Sequence, residues 1–247
     1  MSRKSDFWDD AVAEKFKKKP KNRMGMHKSS VTEAPAPMAA EQLPDALTYP
    51  PKAKALLLET VASVMKKMEE IVNKYLNEIV SLEINSTPGE VELEMLDKNV
   101  DNNKEWKNWL PIPSTVTDSE LSELEEEIGH KLPDSYKKFL KTKHFYELYI
   151  AECSFCSHPI NTWRAKLMEM IFDGYPSEDL IETGRIPFAS WSDWGLLCFD
   201  TKAEYDNNDY PIVLWDHEVF DEFEFRYSNF ESMLKELAIE HEEQKDE

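Results

Sequence analysis

Residues 117–140 read TDSELSELEEEIGHKLPDSYKKFL, and they decide the fold because they spell two short amphipathic helices joined at one proline. Thr117 followed three residues later by Glu120 is a capping box, in which hydroxyl and carboxylate satisfy each other's backbone donors at a helix start. Leu121, Leu124 and Ile128 recur at the i, i+3, i+7 spacing of one buried face, and Gly129 stands where a left-handed cap is cheapest. Six acids and no base between Asp118 and Glu127 predict that the rest of this helix is solvated. Pro133 cannot continue a helix, whereas Asp134 can cap a second one with Tyr136, Phe139 and Leu140 as its apolar face. The expected motif is helix, Leu-Pro hinge, helix.

Upstream of this motif the chain divides in two. Residues 1–52 hold a basic segment ending near Lys28 and then five prolines among alanines and polar residues, the composition of a disordered head and linker. Within the head, Phe7–Phe16 could form a short docking helix or remain disordered. Residues 53–109 read as a helical extension. Leu57, Val61, Val64, Met68, Ile71, Tyr75, Ile79 and Leu82 alternate spacings of four and three, which predicts one long helix whose stripe lies against its own domain rather than forming a dimer seam. Val91–Leu96 alternates like a half-buried strand.

Downstream the pattern turns towards strands. Glu147–Phe155 is rich in strand formers, and Asn161-Thr162 can cap a helix running to about Phe172. IPFAS, GLLCFD, PIVLWD and the alternating run from Val219 are four candidate strands separated by turn-forming residues. A last helix from about Asn229 buries Phe230, Met233, Leu234 and Leu237, and residues 241–247 are expected to be an acidic, fraying tail. The fold class is therefore α+β: an antiparallel sheet flanked by helices, preceded by a long amphipathic helix and a disordered head.

Composition limits the chemistry. The 247 residues carry a formal charge of −20, yet residues 1–28 are net +5, so an acidic body follows a basic head. Such a body repels nucleic acid and anionic membrane and attracts basic partners. No apolar run approaches a membrane span, the amino terminus lacks the apolar core of a secretory signal, and three cysteines do not suit a disulfide scaffold. A cytoplasmic protein is expected, as a monomer or weak dimer. Six scattered glycines cannot build a phosphate loop or dinucleotide fingerprint, so neither enzyme activity nor a cofactor is expected. Cys153 and Cys156 have metal-ligand spacing, but on one continuous strand their sulfurs would point to opposite faces, so no metal is expected.

Together the Leu124–Gly129 turn, the Leu-Pro-Asp-x-Tyr-Lys-x-Phe-Leu start of the second helix and IPFASWSDWGLLCFD at 186–200 resemble the SUKH superfamily over about residues 110–237, within an expected α+β domain of residues 110–240. This is the Smi/Knr-type domain of bacterial immunity proteins and of a fungal regulator of cell-wall synthesis. The sequence departs from it in keeping only Gly195 in the turn before the apolar strand. The resemblance implies a protein-binding module, and bacterial members are inferred to bind and block a cognate toxin that often acts on nucleic acid.

Two features would suit such binding. Trp191, Asp193 and Trp194 gather in a turn where aromatic anchors beside carboxylates would make a hot spot, or where tryptophans would plug the end of the sheet. Asp200, Asp206, Asp209, Asp216 and Glu218 belong to a run of nine acids against one base over 200–224. That run could imitate a phosphate backbone in the basic cleft of a toxin domain, or could simply protect a strand edge. The expected function is neutralisation of a basic toxin domain. The alternative is a regulatory scaffold acting through the amino-terminal extension.

Overall fold

The computed structural model describes residues 51–101, 105–173, 177–193, 195–203, 209–219 and 222–245. The head, with its Phe7–Phe16 segment, lies outside these residues. The long helix α1 spans Pro51–Ser81 and starts with a proline, whose fixed φ and missing N–H suit a first helical position. Met68, Val72, Tyr75, Leu76 and Ile79 are buried in the chain's own core. Leu82, expected to end the stripe, lies past the helix and is 60% exposed.

The extension is not helical throughout, and Val91–Leu96 is not a strand. β1 (Ser86–Pro88) pairs with β2 (Trp106–Asn108), while 93–95 form a turn with a single bridge from Leu96 to Trp109. Val91 and Met95 bury and the residues between them do not, so the apparent alternation never becomes a ladder. A short pair, β3 (Ile112–Pro113) with β4 (Lys143–His144), brackets the helix hinge.

The hinge forms as its chemistry dictates. In α2 (Asp118–Ile128), the Glu120 N–H donates to Thr117 Oγ1 at 3.3 Å while the Thr117 N–H donates to Glu120 Oε2 at 2.8 Å. Gly129 closes the helix at φ 77°, a conformation that costs a side-chain-bearing residue far more. Two expectations fail here. Asp134 does not cap α3 (Asp134–Leu140), because Pro133 holds the cap position and Asp134 pairs instead with Lys137 at 2.9 Å. Nor are all six acids solvated, because Glu125 is 6% exposed. Its carboxylate accepts from the Leu132 N–H at 3.0 Å and from Lys131 and Lys137 at 2.7 and 3.2 Å, fastening the hinge. Burial alone would raise its pKa, but these three partners outweigh it and hold the carboxyl below its usual range.

The sheet has the order β10-β9-β8-β7-β6-β5 with every neighbour antiparallel. Its strands are β5 (Tyr149–Ile150), β6 (Cys153–Phe155), β7 (Arg185–Trp191), β8 (Gly195–Asp200), β9 (Ile212–Asp216) and β10 (Phe223–Tyr227). The expected strand Glu147–Phe155 is thus a hairpin. Ala151 turns the chain at φ 49°, and its N–H donates to His241 Nδ1 at 3.0 Å. One sheet face carries Phe188, Leu197, Phe199 and Leu214 into the main core with α1, α2, α3 and α6 (Phe230–Lys245). The other carries Cys198, Val213 and Trp215 against Leu180 of α5 (Ser177–Glu182). Burial on both faces explains why GLLCFD and PIVLWD read as continuous apolar runs.

Residues 241–245 are helical, not a fraying tail. The His241 ring meets Tyr75 edge-on at 4.7 Å, and Lys245 pairs with Glu78 at 2.7 Å, so the end of α6 is fastened to α1. Thr162, expected as a cap, makes no side-chain bond to α4 (Trp163–Met168), which continues as a π-helical turn over Glu169–Asp173.

Between the hinge and the sheet, His144 and His158 are buried and stacked at 4.9 Å. The Thr115 N–H donates to His144 Nε2, which leaves Nδ1 protonated to donate to the His158 carbonyl at 3.1 Å. Burial first, and then the neighbouring His144, push the His158 pKa down to about 3. A histidine depressed in the folded state gives full stability above its unfolded pKa and loses it as protons bind preferentially to the unfolded chain. Acid titration should therefore lower stability from about pH 6.5 towards 3, by up to about 1.4 kcal/mol per pH unit for this group. H158Q should flatten that limb in urea melts measured across pH. E125Q should cost about 2 kcal/mol at neutral pH, because the Leu132 N–H and two ammonium groups lose a charged acceptor; an unchanged urea midpoint would contradict the clamp.

Candidate functional site

Strand register builds a groove on the second face of the sheet. Tyr149 pairs with Ser154, Ser154 with Ser190, Ser190 with Leu196, and Leu196 with Trp215, so five residues from five strands form one cross-strand row. With strands about 4.8 Å apart, the row is about 19 Å long. Its middle is low because two serines stand between Tyr149 and the larger Leu196 and Trp215. The resulting concavity has a volume of about 670 Å³.

One wall comes from a single helical face. Lys166, Glu169, Met170 and Asp173 follow the i, i+3, i+4, i+7 spacing across α4 and the π-helical turn, and all four line the groove. Glu147 and Asp193 add further carboxylates, and His217 stands on the same lining. Burial raises the pKa of Glu147. The carboxylates Glu147, Glu169, Asp173 and Asp193 therefore face one cation, Lys166, which pairs with Glu169 at 2.9 Å. An extended segment bearing lysine or arginine would find both a floor and counter-charges here.

The residues expected from sequence to bind a partner do not form one surface. Trp191 is 3% exposed on the core face, against Tyr227 and beneath the Arg226 guanidinium at 4.6 Å, so it plugs the sheet rather than anchoring a partner. Trp194 and Asp206 lie outside the described residues. Register places Gly195 opposite Asp216, so Asp193, Asp216 and Glu218 gather at one end of the sheet, the end that opens into the groove. Asp200 and Asp209 lie at the other end, about 17 Å along β8. Both are engaged within the fold. Asp200 pairs with Arg185 at 3.3 Å, and Asp209 accepts from Ser135 Oγ at 2.9 Å while burial raises its pKa.

Sequence reasoning missed Tyr149, Ser154, Ser190, Lys166, Glu169 and Asp173. The last three carried a readable signal in their shared helical face. The serines did not, because only the pairing register sets them side by side. The solitary turn glycine is explained by close approach: a Cβ on Gly195 would lie 2.6 Å from Leu214 Cδ1 and 2.8 Å from the Trp215 carbonyl oxygen.

Cys153 is buried in the main core, and Cys156, just past the end of β6, packs against that core and also lines the groove. Burial pushes the Cys156 thiol up to about 12 and that of Cys153 higher still, away from the thiolate form that ligation or redox exchange requires. Glu78, His241 and Glu242 do converge within 4.8 Å. Because His241 Nδ1 accepts the Ala151 N–H, the neutral ring carries its hydrogen on Nε2, the atom facing Glu78 at 3.4 Å. Lys74 and Lys245 occupy the carboxylates at 2.9 and 2.7 Å, which makes the cluster a strut between helices.

No helix among the described residues is long and apolar enough to cross a membrane. A search of curated proteins found no match. Residues 115–236, which run from just before the capped helix into α6, match the model of the SMI1 / KNR4 family (SUKH-1), and through this domain the chain belongs to the SUKH superfamily.

Proposed function

We propose that this protein is a non-catalytic binding module of the immunity type, which holds a basic segment of a toxin domain in the groove along Tyr149, Ser154, Ser190, Leu196 and Trp215. The carrying observation is that groove: a five-strand floor with four carboxylates against one lysine along its lining. Domains of this family act in general through protein interactions. Carboxylates at the rim speed encounter with a basic partner, while contact with the exposed Tyr149 and with Leu196 on the floor slows release; Trp215, 3% exposed, only closes the end of the row. Asp216 and Glu218 add negative charge at the same end of the sheet.

The test is calorimetry against the protein encoded beside this one, at low and high salt. A one-to-one complex that weakens as salt rises is expected. S190R, which fills the groove and adds a charge of the wrong sign, should weaken it about tenfold or more, equivalent to about 1.4 kcal/mol, without changing the thermal midpoint. Removing residues 1–50 should leave affinity unchanged. A complex indifferent to S190R but abolished by that truncation would instead support a scaffold acting through the head.

A further inference from the structure

β10 is the outermost strand of the sheet, and among the described residues no further strand pairs with it. Its exposed residues are unusual for an edge. Glu224 and Arg226 flank Phe225, which is 61% exposed, and a large apolar side chain on a free edge invites strand addition. Glu224 and Arg226 lie on the core face of the sheet, where they pair with each other at 3.1 Å and where Arg226 is held over the Trp191 ring. Phe225 pairs with Val213 and so lies on the opposite face, the one bearing the groove.

We infer that a second copy of this chain pairs antiparallel along β10, across a two-fold axis passing through Phe225. The charge pattern selects this occupant and register. Centred on Phe225, Glu224 of each copy faces Arg226 of the other, and the two phenylalanines meet. Centring on Glu224 or on Arg226 would set like charges directly opposite. The sequence Glu-Phe-Arg is therefore self-complementary in one antiparallel register, as an isologous interface requires. The β-bulge after Phe225 confines the ladder to about three residues per strand, so the association is weak and reversible. Because the axis stands perpendicular to the sheet, both grooves open on the same side of the dimer.

Sedimentation equilibrium of the full chain tests this. The wild-type protein should show a monomer–dimer equilibrium between micromolar and submillimolar concentration. E224R and R226E each oppose like charges at two positions and should each weaken dimerisation roughly tenfold or more. An equimolar mixture of the two variants restores opposite charges at every position and should recover a heterodimer of wild-type affinity. E224R leaves the Arg226–Trp191 contact in place, so it decides the question even if R226E perturbs folding, which circular dichroism reports. A wild-type chain that stays monomeric throughout overturns the inference. So does a dimer unaffected by E224R, which would place the interface elsewhere, and so does a mixture of two folded variants that fails to associate.

Discussion

The ring of Tyr136 is the contact on which the layers of this protein depend. It lies 5.6 Å from Phe188 and 5.1 Å from Phe199 on the sheet, and 5.1 Å from Phe230 at the start of α6, while stacking on Phe139 within its own helix. Helix, sheet and closing helix thus meet at one aromatic cluster. Edge-on and tilted rings of this kind contribute beyond the area they bury, and their shapes admit few alternative packings. The Leu-Pro hinge sets the angle at which Tyr136 arrives, and Glu125 holds the hinge closed from beneath.

The same logic explains why the amino-terminal helix is part of the folded body although the family match begins well after it. Met68, Val72, Tyr75 and Ile79 complete a core that the sheet and α6 leave open on one side. Tyr75 donates to the Ala238 carbonyl at 3.0 Å, and the lysine, glutamate and histidine groups around it fasten the ends of both helices. The left-handed turn at Ala151 is tied into this strut through His241, so the hairpin at the sheet's far edge leans on the last helix.

Much of the fold was legible because it rests on local rules. The capping box, the glycine stop and the proline hinge each follow from bonds a few residues apart, and the four central strands announced themselves by apolar runs between turn residues. What escaped reading depends on distance along the chain. Trp191 looks exposed in a turn until register sets it beside Tyr227 and Arg226. Glu125 looks solvated among five other acids until Leu132 folds back on it. Ala151 interrupts a run of strand formers with a left-handed turn, where a histidine ninety positions later accepts its N–H. The groove was the least legible feature, since its floor takes one residue from each of five strands.

That floor also separates two roles within single strands. In β6 and β7, Ser154 and Ser190 face outward while their immediate neighbours Cys153, Phe155, Ala189 and Trp191 face the core. Exchanging an outward residue changes the groove's shape without disturbing the packing on the other side of the backbone. A sheet arranged this way can vary its outer surface while keeping how it folds.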